Sequence, residues 1–117
     1  MSVKRIVCNV AAENPAAAVN FYKDLLGLDL AMDQGWIVTM AAPATSHMPQ
    51  LSFMSEGGSG TPVPDMSIEV EDVRAVYAKA NAMGAEVVYP ITEEPWGVRR
   101  FYVRDPMGKT LNILSHL

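Results

Sequence analysis

Apolar and polar positions alternate with two different periods along this chain, and the switches between them outline its elements. Arg5 to Val10 reads as a strand, with Ile6, Cys8 and Val10 on one face and Arg5, Val7 and Asn9 on the other. Asn14-Pro15 predicts a helix start, with Asn as cap and Pro at the first helical position. Ala18, Tyr22, Leu25 and Leu26 then form an apolar stripe at helical spacing, and Gly27 stops the helix. Leu28 to Met32, Trp36 to Ala41 and Gln50 to Ser55 read as strands, the first two joined by an Asp33-Gln34-Gly35 turn. The segment from Glu56 to Pro64 is rich in glycine and proline and reads as a linker.

After the linker the order repeats. Asp65 to Val70 is a strand, Asp72 caps a helix with the stripe Val73, Val76, Ala80 and Met83, and Gly84 ends it. Glu86 to Tyr89 is a strand, and a hairpin follows. In that hairpin Phe101 and Val103 alternate with Arg100, Tyr102 and Arg104. Asp105-Pro106-Met107-Gly108 forms the turn, and Leu111 and Ile113 alternate with Thr110, Asn112 and Leu114. Ala18 and Ala75 lie 57 positions apart, as do Val19 and Val76, Gly27 and Gly84, and Leu30 and Val87. The offsets predict an α+β fold of two βαβββ modules in one domain over residues 1–117: module one 1–56, linker 57–64, module two 65–117.

Half of the 117 residues are hydrophobic, which suffices for one core, and the net charge is −4. With Lys and Arg scattered apart from Arg99-Arg100, nucleic acid is an unsuitable partner. No apolar run approaches the ~20 residues needed to span a bilayer, and Met1 to Arg5 does not lead into a secretory segment. Cys8 is the lone cysteine, which fits a reducing cytoplasm, and in an apolar strand it reads as a small buried residue.

Three motifs on this duplicated frame carry a resemblance: Phe21-Tyr22-Lys23-Asp24-Leu25-Leu26-Gly27, Val70-Glu71-Asp72-Val73 and Asp105-Pro106-Met107-Gly108. Together they resemble the vicinal oxygen chelate superfamily of glyoxalase I, bleomycin-resistance proteins and extradiol dioxygenases. The resemblance implies a half-open curled sheet with the helices outside, a ligand pocket on its inner face, and a homodimer. Metal-dependent members chelate a divalent ion from four strand positions and use it to polarise two adjacent substrate oxygens. The corresponding positions in this chain are Val7 (or Arg5 with a gap), Ser52, Asp65, where such members usually carry His, and Asn112, where they usually carry Glu. One carboxylate and one amide make a poor site, so a catalytic metal is not expected. His47, in a loop, and His116, at the chain end, read as solvated residues that do not rescue it.

The expected site is therefore a metal-free, cofactor-free pocket. Ile6, Cys8 and Val10; Met66, Ile68 and Val70; Phe101 and Val103; and Leu111 and Ile113 should pack under the helices. The opposite faces, with Asn9, Asp65, Glu69, Arg100, Tyr102 and Asn112, read alone as a solvated sheet side. The resemblance instead makes them pocket lining. Trp36, Phe53 and Trp96 are candidate aromatic walls, with core or dimer-interface roles as the alternative. Arg100 either pairs with an anionic ligand group or forms a salt bridge to Asp65 or Glu69. Met32, Met40, Met48 and Met54 suit an adaptable wall, or core filling. The function expected is small-molecule binding. The alternative is a metal-dependent lyase, isomerase or dioxygenase with divergent ligands.

Overall fold

The computed structural model describes residues 3–42 and 50–117. The chain order is β1 (Val3–Ala11), α1 (Ala17–Leu26), β2 (Asp29–Asp33), β3 (Ile37–Ala41), β4 (Gln50–Met54), β5 (Met66–Val70), α2 (Val73–Ala82), β6 (Glu86–Glu94), β7 (Val98–Arg104) and β8 (Thr110–His116). The strand–helix–strand order predicted from periodicity is thus present twice, in the α+β class expected. The chain divides into two compact units, one over residues 7–63 and one over residues 64–117 together with the start of β1. His47 and Met48, noted in the sequence, lie outside the described residues.

In the first unit the strand order is β2-β3-β4-β1, antiparallel except where β4 runs parallel to β1. The turn between β2 and β3 uses Asp33, whose Oδ1 accepts from the Gly35 N–H at 2.9 Å. Gly35 takes a φ of 83°, which a side chain would resist. Val38, Met40 and Phe53 are buried, and Ala18, Val19 and Tyr22 of α1 pack on them.

The helix departs from expectation at both ends. Its N-cap is Ala16, without a side-chain cap; the Asn14 and Pro15 carbonyls accept from Ala17 and Ala18 in a preceding backbone turn. Leu25 and Leu26, predicted in the packing stripe, are 64% and 60% exposed, and Phe21 is 59% exposed. The physical reason is that α1 lies over β2 and β3 and buries only the face carrying Ala18, Val19 and Tyr22. Strand β1 shows the same shortfall. Cys8 and Val10 stand in register with Leu51 and Phe53, on the predicted face. Yet Ile6, Cys8 and Val10 are all exposed, so Cys8 is not the buried residue expected. The glycine-rich segment is more ordered than a linker. Gly57 N–H donates to the Thr61 carbonyl at 2.7 Å, Thr61 Oγ1 to the Gly58 carbonyl at 2.8 Å, and Gly60 N–H to Glu56 Oε1 at 2.9 Å. Gly57, Gly58 and Thr61 are buried.

In the second unit the order is β5-β8-β7-β6, with the start of β1 beside β5. β5 and β8 are parallel; β7 is antiparallel to both its neighbours. Val70, Val73, Ala80, Phe101 and Ile113 form the core, flanked by Ile68, Val76, Tyr77, Val87, Ile91, Val103 and Leu111. This is the apolar face read from the alternation, now covered by α2. Asp72 caps that helix as predicted, accepting from the Ala75 N–H at 3.2 Å. Met83, expected in its stripe, is exposed instead. Among the described residues no helix is long and apolar enough to cross a membrane.

Candidate functional site

The side of β5, β8 and β7 opposite α2 is where the polar candidates gather. Register sets two rows across these strands. Ser67, Asn112 and Tyr102 are neighbours in one, and Glu69, Leu114 and Arg100 in the next. A period of two puts both rows on the same face.

Arg100 is 2% exposed and sits in a closed network. Its Nε donates to Glu94 Oε2 at 2.6 Å, and its Nη1 donates to the Tyr102 hydroxyl at 2.9 Å. Tyr89 also donates to Glu94 Oε2, at 3.1 Å. The guanidinium carbon lies 4.9 Å from the ring centres of Trp96 and Tyr102 and 5.3 Å from that of Tyr89. Aromatic faces and a carboxylate thus replace the water that a buried guanidinium would otherwise need. The partner of Arg100 is neither Asp65 nor Glu69, as the sequence suggested, but Glu94. Sequence reasoning passed over Glu94, although a signal was present. Pro95-Trp96-Gly97 reads as a hairpin turn, with Glu94 just before it and Arg100 on the returning strand. Glu94 meets the charge of Arg100, and the Trp96 and Tyr102 rings lie close to its guanidinium.

Asn112 is 6% exposed. Its Nδ2 donates to Ser67 Oγ at 3.0 Å, while its buried Oδ1 meets no hydrogen-bond partner among the described residues. Leaving such an acceptor dry costs about 1–3 kcal/mol. Glu69 is divided between two partners. Its Oε2 is 2.7 Å from His116 Nδ1, and its Oε1 is 3.1 Å from Arg5 Nε in an ion pair outside hydrogen-bond alignment. His116 is exposed, as expected, and it ends β8 in register with Val98. Asp65 is exposed and tied to the strand beside it. Its Oδ2 accepts from Thr110 N–H at 2.7 Å, and its own N–H donates to the Thr110 carbonyl at 2.9 Å.

In the other unit, Asn9 is half-buried and stands in register with Ser52. The Ser52 and Thr39 hydroxyls share a hydrogen bond of 2.7 Å. Trp36 is half-buried beside β3, its carbonyl accepting from Ser55 N–H at 3.0 Å. Phe53 is a core residue: its ring centre is 4.8 Å from that of Tyr22 beneath α1, on the helix side of the sheet. Of the two roles weighed for it, the structure places it in the core one.

Donors are few at the four chelate positions. Val7 has none, the Ser52 hydroxyl is engaged with Thr39, Asp65 is held by the Thr110 N–H, and Asn112 offers one neutral oxygen. Among the described residues no group of three or more His, Cys, Asp or Glu side chains is placed to hold a metal.

The motifs and the fold agree with the comparison to known families. The family model of the Glyoxalase/Bleomycin resistance protein/Dioxygenase superfamily matches residues 4–113, and the chain belongs to that superfamily. Solved structures of the same fold include one described as an NAD-dependent benzaldehyde dehydrogenase from Legionella pneumophila (TM-score 0.75, 17% identity, covering 96% of this chain and 99% of that one). Another is a variant of Streptomyces coelicolor methylmalonyl-CoA epimerase in complex with 2-nitronate-propionyl-CoA (0.73, 18%, 98% and 96%). A third is a glyoxalase/bleomycin resistance protein/dioxygenase superfamily member from Vibrio splendidus (0.65, 17%, 97% and 99%). At these identities the likeness is one of fold. No curated protein matches the chain.

Proposed function

We propose that this protein binds a small molecule on the β5–β8–β7 face through hydrogen bonds, without the metal chelate of its enzymatic relatives. The observation that carries the reading is the buried, unpartnered Oδ1 of Asn112 beside Ser67. A buried acceptor left dry is a liability in a purely structural face and an asset in one that receives a donor. Its neighbours are already locked: Tyr102 by Arg100, Glu69 by Arg5 and His116. The ligand would therefore meet a preformed surface, which lowers the entropy cost of binding. The donor set at the chelate positions supports the same reading over a metal-dependent lyase, isomerase or dioxygenase.

A thermal-shift screen tests it, with acyl-CoA esters included because the epimerase neighbour holds one. A ligand at about 100 times its Kd adds about 2.7 kcal/mol of stability. Asn112→Leu is expected to abolish that shift while leaving the free protein as stable or more so, since the dry acceptor is gone. EDTA is expected to leave the melting temperature unchanged. A large loss of melting temperature in EDTA, or a ligand response that survives Asn112→Leu, would overturn the proposal.

We also propose that the protein is a homodimer through the outer side of α1. Phe21 and Leu25, one helical turn apart, together with Leu26, expose more apolar surface on a ten-residue helix than scattered surface residues do. Sedimentation velocity should give a dimer for the native chain and a monomer for Leu25→Glu. A native monomer at high protein concentration would refute it.

A further inference from the structure

A cleft of about 330 Å³ opens on the other side of the second unit, lined by Arg74 and Tyr77 of α2, Ile91, Thr92 and Glu93 of β6, and Arg99 of β7. Its volume is at the small end of the ~300–1,000 Å³ range of ligand clefts. We propose that this cleft is a second binding site, for a small anion with an apolar body, of the aryl or short alkyl carboxylate class.

Its floor is rigid. The Tyr77 ring is held edge-on against the fully buried Phe101, with centres 4.9 Å apart and planes at 67°, and Ile91 packs on the same core. An apolar ligand body would rest on a surface that does not need to be ordered first. The rim is cationic. Arg99 Nη2 donates to Glu93 Oε1, one of the five N–H donors a guanidinium carries. Arg74 lies close enough for its charge to act on the same carboxylate. Together with the dominant hydrogen bond and charge of Arg99, it holds the Glu93 carboxyl below its ordinary value. Two guanidiniums face one carboxylate, so the rim carries a net positive charge in a chain whose total is −4. No acidic residue stands in the first turn of α2 to cancel it. A planar carboxylate matches the fork geometry of Arg.

The test is an amide-resolved NMR titration of the full chain with benzoate, and in parallel with benzyl alcohol, its neutral analogue. Benzoate should produce saturable shifts in the millimolar range centred on Tyr77, Ile91, Thr92 and Arg99. Benzyl alcohol should bind at least fivefold more weakly. Arg74→Gln, at an exposed position, should weaken benzoate about fivefold, equivalent to about 1 kcal/mol, with an unchanged melting temperature. Equal response to both probes, no saturation, or shifts centred on Ser67 and Asn112 would each overturn the cleft as an anion site. The last of these would leave the proposed ligand face standing.

Discussion

Glu94→Ala is expected to lower folding stability by about 3–5 kcal/mol. Arg100 and Glu94 form a buried pair, with side-chain exposures of 2% and 3%. Removing the carboxylate leaves a guanidinium that cannot shed its proton and cannot reach bulk water. Tyr89 simultaneously loses its acceptor. Cation–π contacts to Trp96, Tyr102 and Tyr89 soften the loss by ~1–2 kcal/mol at most and do not replace a counter-charge. At roughly 4 °C per kcal/mol for a domain of this size, the melting temperature should fall by about 12–20 °C. The double variant Glu94→Leu/Arg100→Met should recover most of that loss, because removing both charges also removes the need to desolvate them. Urea unfolding of both variants is the measurement. A single variant within about 1 kcal/mol of the native chain would mean that the pair is reached by solvent and that the cage is not closed.

Phe101→Ala should cost a similar ~3–5 kcal/mol by a different mechanism. Phe101 is fully buried between β7 and α2, against Tyr77, Val73, Ala80 and Ile113. Truncation leaves a cavity that a strand and a helix on opposite sides close only in part. Met107→Ala is the control. Met107 is 77% exposed in the β7–β8 turn, and its loss should register within about 0.5 kcal/mol. If Phe101→Ala cost no more than the control, α2 would not be packed on β7 as described. The two predictions also separate the faces of one strand. Phe101 reports on the apolar core, and Arg100, one residue earlier, on the polar side.

That division is legible in the sequence alone. Phe101 and Val103 against Arg100 and Tyr102 is a period-two pattern. The turn that follows is local chemistry: Asp105 Oδ1 accepts from the Met107 and Lys109 N–H groups, both at 2.9 Å, and Gly108 takes a φ of 77°. Asp72 as a cap and Gly27 as a C-terminal stop, at φ 69°, were legible for the same reason. Each depends on residues within about four positions. The candidate site was legible by residue and not by partner. Arg100, Tyr102 and Asn112 were named, but their bonds to Glu94 and Ser67 were not, since those need the hairpin turn and the β5–β8 register respectively. Asn14 failed as a cap because the preceding backbone turn already meets the first helical N–H groups.

Which residues alternate, where helices stop, how the chain turns and that the βαβββ pattern occurs twice are all legible in the sequence. All of these are properties of neighbours along the chain. How much of each apolar face is covered depends on the folded packing. Leu25, Leu26, Ile6, Cys8 and Val10 are as apolar as Val73 or Ile113, yet they remain exposed. Burial is a sum over atoms distant in sequence. So is the pairing of a charge such as Arg100 or the isolation of an oxygen such as Asn112 Oδ1, and no local pattern encodes that sum.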